Sequence, residues 1–184
     1  MDEYKTRSSL HTNVKNLTLS AMFIALGIVL PFLTGQIPEF GSKLLPMHIP
    51  IFFCGLICGW QWGLAVGFAT PLLRGVMFGM PVFYPTGIAM AFELAAYGSV
   101  IGFLYSHVRR KTLPALYGCM ITAMISGRIV WGCVEVILLG LGENGFTLSA
   151  FISGAFLNAV PGIILQLILI PAVMTALNKS GLIK

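Results

Sequence analysis

The sequence predicts an all-α integral membrane protein of six transmembrane helices, and three observations carry that prediction. Of its 184 residues 57% are hydrophobic and only 9% charged, whereas soluble domains carry about a quarter charged residues. The apolar residues gather into runs of bilayer length, parted by polar or Gly/Pro-rich breaks. The basic residues fall where six crossings with both termini cytoplasmic would put them.

The first run, Leu17 to Leu33, follows a polar stretch, MDEYKTRSSLHTNVKN, at residues 1–16. That stretch shows no evident cleavage site, so it reads as a cytoplasmic tail before an uncleaved helix. The second run, Leu45 to Gly59, is short for a hydrocarbon core of ~30 Å, and Pro46 and Pro50 stand at its start. A tight GWQWG connection leads into the third, Trp62 to Phe78, and places Trp60 and Trp62 at the inner interface. Phe83 to Tyr105 and Leu113 to Leu139 follow. The last run, Leu148 to Leu177, exceeds what a bilayer needs, which predicts a tilt, a fray or a kink at Pro161 or Pro171. Residues 17–177 thus form one membrane domain, and 178–184 a cytoplasmic C-terminal tail.

With the N-terminus inside, Lys5, Arg7, Lys15, Arg109, Arg110, Lys111, Lys179 and Lys184 all lie inside, and only Lys43 lies in an outer connection. Five or seven crossings would break this pattern. The net charge of +5 therefore follows topology and gives no support to nucleic-acid binding. GxxxxGK[ST], HExxH and GxSxG are all absent, and the three histidines are scattered. Cys54, Cys58, Cys119 and Cys133 form no CxxC and read as small packing residues. No enzyme, metal site or cofactor is expected.

Function has to be sought in the charges that the apolar runs retain. Arg74, Glu93, Arg128 and Glu135 lie well inside predicted spans, where each costs about 2.5–3.5 kcal/mol if it faces lipid. Their neighbours at helical spacing are polar or aromatic: Thr70 beside Arg74, Thr86 and Tyr97 flanking Glu93, Trp131 between Arg128 and Glu135. Asn158 adds an amide at similar depth. These faces predict a cavity open to the outside that holds a solute; the competing reading is a set of ion pairs that only fix helix packing. The Gly/Pro-rich connection Thr34 to Pro50 is long enough to cover an opening, with GMPVFYP and GLGENGF as companions. His48 and Tyr84 are the residues of these connections best placed to reach inward. In the first run Ala21 and Ala25 are four apart, a shallow face for a partner helix.

Six short spans, cytoplasmic ends, Ala21-x-x-x-Ala25, a long first outer loop and no nucleotide site resemble the substrate-binding S components of energy-coupling-factor (ECF) vitamin transporters. The stretch LPMHIPIFFCGLICGWQWGLAVGFATPLLRG looks especially like the riboflavin and pantothenate-type members. The resemblance implies a high-affinity subunit of a bacterial plasma membrane that captures a water-soluble vitamin or precursor at its outer face. It further implies partners: a transmembrane coupling subunit, reached through Ala21 and Ala25, and two ATPase subunits that drive uptake. His48, Arg74, Tyr84, Glu93, Arg128, Trp131, Glu135 and Asn158 are then the candidate substrate contacts, assigned by depth and chemistry. Two buried arginines favour a pantothenate-like anion, since guanidinium pairs with carboxylate; if the two glutamates neutralise them, the solute is neutral. An ion-coupled carrier using Glu93 or Glu135, or a noncatalytic scaffold subunit, are the alternatives.

Overall fold

The computed structural model describes residues 2–34, 43–140, 147–154 and 159–181. Helix α1 (Asp2–Val29) continues into a 3-10 turn over Leu30–Thr34. Helices α2 (His48–Cys58) and α3 (Trp60–Phe78) follow. A short turn, Phe83–Gly87, opens α4 (Ile88–His107). Then come α5 (Leu113–Leu139), the brief α6 (Leu148–Ile152) and α7 (Val160–Lys179). The described residues contain no strand.

Among the described residues four stretches are long and apolar enough to cross a bilayer: Thr12–Leu33, Phe83–His107, Leu113–Leu139 and Val160–Lys179. At 19 residues, α3 spans about 28 Å. With 11 residues, α2 reaches only about 16 Å, roughly half a hydrocarbon core. It is instead enclosed by protein, with Ile51, Phe52 and Cys54 wholly buried. Helix α1 takes in residues 2–16 as well as the first apolar run, and of the last run the described residues form α6 and α7, with Pro161 in the first turn of α7 and Pro171 inside it.

Local chemistry explains the short helix. Leu45 takes a left-handed φ of 49°, an uncommon state for a bulky residue, and turns the chain so that the His48 amide donates to the Leu45 carbonyl at 3.1 Å. Pro50 sits in the first turn of α2, where a missing N–H leaves no intrahelical bond unmade. Gly59, at φ 95°, ends α2 and starts α3 one residue later. Only glycine holds that conformation without strain.

Small residues let these helices touch backbone to backbone. A Cβ on Gly98 of α4 would stand 2.2 Å from the Gly63 carbonyl of α3, and one on Gly67 would stand 2.3 Å from that of Leu94. Gly55 of α2 meets the Gly98 carbonyl in the same way. The outward faces are apolar: on α5, Ile121, Ile125, Ile129 and Ile137 are exposed while Gly127, Arg128, Gly132 and Glu135 are buried. Lipid outside and polar residues inside is the arrangement a bilayer demands.

Two ends of the bundle are distinct. At one, α1 meets α3 through Ile28 and Arg74, and Tyr84 reaches Leu138 of α5. At the other, Asn16 donates to the Cys58 carbonyl (3.4 Å), Gly102 abuts Trp60 and Lys111 lies over Tyr105. Lys15, Arg109, Arg110 and Lys179 belong to that second, basic end.

Candidate functional site

The polar side chains collect where α2, α4 and α5 converge. Glu93 projects from α4 and is 1% exposed. The Arg128 Nη1 of α5 lies 2.9 Å from its Oε1, and the His48 Nε2 of α2 lies 3.7 Å from the same oxygen. Three separate helices thus supply an arginine, a carboxylate and an imidazole to one point. Tyr97, one turn after Glu93, packs edge-on to the His48 ring at 5.3 Å and against Phe52 at 5.2 Å. Its ring lies across Gly127, where a Cβ would stand 3.1 Å away. Glycine beside Arg128 therefore lets α5 approach close enough for the ion pair.

The cluster is charge-paired and short of hydrogen bonds. His48 Nδ1 and Nε2, Glu93 Oε1, and Arg128 Nε and Nη2 are buried with no hydrogen-bond partner. The 2.9 Å contact is thus an ion pair without hydrogen-bond alignment. Each such group left unmade costs about 1–3 kcal/mol. Glu135, two turns along α5, is 4% exposed and within electrostatic reach of Glu93.

Gln166 of α7 was not singled out from the sequence. It is 1% exposed, and its Nε2 has no partner. One turn earlier, Gly162 abuts the carbonyls of Lys43 and Leu44; Leu44 is in turn one helical turn's length before His48. Helix α7 also packs against α2, the helix that carries His48. A lone amide inside the apolar run IILQLILI was the available signal.

The other predicted residues lie elsewhere. Arg74 is buried, yet its Nη1 donates to the Ile28 carbonyl at 2.8 Å, and its guanidinium sits 5.1 Å from the Phe32 ring and 5.7 Å from that of Phe78. It caps the end of α1, where a cation suits the helix dipole. The Tyr84 hydroxyl donates to the Leu138 carbonyl at 2.7 Å, filling one of the last unpaired acceptors of α5. Trp131 stacks on Phe151 of α6 with centroids 6.1 Å apart. Asn158, and residues 35–42 and 141–146 of the connections expected on the outer side, lie outside the described residues. Ala21 and Ala25 are exposed on α1, whereas Gly27 faces inward beneath Thr70.

Among the described residues no group of three His, Cys, Asp or Glu is placed to hold a metal ion. No curated protein and no solved structure matches the chain. A family model described as ECF transporter, substrate-specific component, matches residues 15–182.

Proposed function

Because the chain belongs to the family of substrate-specific components of ECF transporters, we propose that its His48–Glu93–Arg128 cluster is where it captures a water-soluble vitamin or precursor. Members of this family are multi-pass membrane subunits that bind a small molecule and work with a module of membrane and ATPase subunits. The observation that supports the site is the gathering of buried, unpartnered hydrogen-bonding atoms from three helices, with a further one, Gln166 Nε2, on α7, which packs against α2. Glu135 and Trp131, on α5 beyond Arg128, are the next candidates for contact with the solute. Arg74 and Tyr84 hold helix ends and act on the solute only through them.

The chemistry favours a neutral solute over the pantothenate-like anion. Arg128 is matched by Glu93, and Glu135 adds a second carboxylate nearby, so a further anion would meet no uncompensated cation. What remains on offer is mostly donors: guanidinium, amide and one imidazole N–H. A neutral vitamin rich in carbonyl and ring-nitrogen acceptors fits that set. The protein works in six crossings with both termini in the cytoplasm of a bacterium, and docks on the coupling subunit through Ala21 and Ala25. Mass spectrometry of the molecule that co-purifies, followed by calorimetry with a panel of vitamins, tests the reading. Tight binding of pantothenate that survives Arg128→Ala would overturn it.

A further inference from the structure

A cavity lies at the basic end, away from the polar cluster. It has a volume of about 280 Å³ and opens between the start of α5 and the end of α7. Lys111 and Lys179 stand on its rim with Thr112 and Asn178, and Leu116 and Met174 form its floor. The Lys111 ammonium lies 5.5 Å from the Tyr105 ring, which holds it over the opening. Thr112 is the N-cap of the 27-residue α5, and its side chain makes no capping hydrogen bond. The positive end of a long helix, with Leu113 at its start and Pro114 next, therefore borders the same space as two ammonium groups, and both favour phosphate.

We propose that this cavity binds the phosphate of an anionic phospholipid headgroup. The floor and flank are what set a lipid apart from free phosphate. Leu113, Tyr117 and Ile121 are exposed at four-residue spacing along α5, so they make an apolar track that climbs from the cavity along the lipid-facing surface. A free phosphate would use the lysines and leave Leu116, Met174 and that track without a role. A diester carrying acyl chains uses all of them. Basic pockets between helices at the cytoplasmic side take such headgroups in general, and the positive-inside pattern assigns this end to the cytoplasm.

Native mass spectrometry of the full-length protein, released from micelles containing phosphatidylglycerol and phosphatidylcholine in equal amounts, tests the assignment. The wild type should retain the anionic lipid preferentially. Each lysine near an anionic headgroup is worth roughly fivefold, so Lys111→Ala with Lys179→Ala should reduce that preference by roughly 30-fold. Arg109→Ala with Arg110→Ala, which removes two exposed charges outside the cavity lining, should leave most of it. Equal retention of both lipids by the wild type would overturn the proposal. So would an equal loss in the two double variants, which would make the preference a property of the whole basic end. Displacement of the lipid by millimolar inorganic phosphate would show that the acyl track contributes nothing, and would overturn it as well.

Discussion

Arg128 and Glu93 illustrate what a single pair of side chains can decide inside a membrane protein. Each would be expensive alone in this environment, and together they are neutral. Arg128→Ala leaves Glu93 buried without its counter-ion, a change that costs about 3–5 kcal/mol; a large fall in thermal stability and loss of solute binding are expected. Arg109→Ala, at an exposed position, should change neither, and similar outcomes for the two variants would contradict the site. Gln166→Ala should behave differently from both. Removing an amide that already lacks a partner leaves the empty protein about as stable as before, while solute affinity measured by calorimetry falls roughly tenfold for one lost hydrogen bond. That Arg128 and Glu93 are both buried was legible in the sequence, because charges in apolar runs need company; that they pair with each other was not. Arg74 was legible as a buried charge but not as a cap for α1, since its partner is a backbone carbonyl, and carbonyls leave no trace in composition.

At the level of elements, the informative residues are glycines. The Gly63, Gly67 and Gly98 contacts join α3 to α4, a close approach of the kind small residues permit in membranes. Gly98→Ala should destabilise the folded protein by about 1–3 kcal/mol or more, since overpacking against backbone cannot be relieved by a side-chain rotation. Gly118→Ala, on α5 with nothing within 4 Å of the added carbon, should be neutral or gain up to about 1 kcal/mol. Thermal unfolding in one detergent compares them directly. Helix positions were readable from hydropathy because the bilayer sets their length. The enclosure of the short α2 by protein was less so: hydropathy reports that a segment is apolar, not whether lipid or protein surrounds it. On α1, the exposed Ala21 and Ala25 predict that Ala21→Arg with Ala25→Arg preserves solute binding and stops transport. Equal loss of both activities would argue against docking there.

As a whole molecule the protein has one basic end and, near the other, a polar cluster sealed from lipid. For a substrate-specific component, uptake by membrane vesicles should follow ATP and the partner module. Collapsing the proton gradient with ATP held high should spare it, whereas an ion-coupled carrier using Glu93 or Glu135 would stop. The fold class and the basic end were legible in the sequence because water and lipid sort residues coarsely. The ligand was not, because its identity depends on which charges cancel, and that is settled by contacts between α2, α4 and α5.

Where main chains abut without an intervening layer of side chains, there is nothing soft to yield. Helices α3 and α4, with α2 tied to α3 through the single residue Gly59, must travel as a stiff plank. Any molecule admitted to the cluster would then have to displace α5, which meets α4 at Gly127 through the Tyr97 ring and not through main chain.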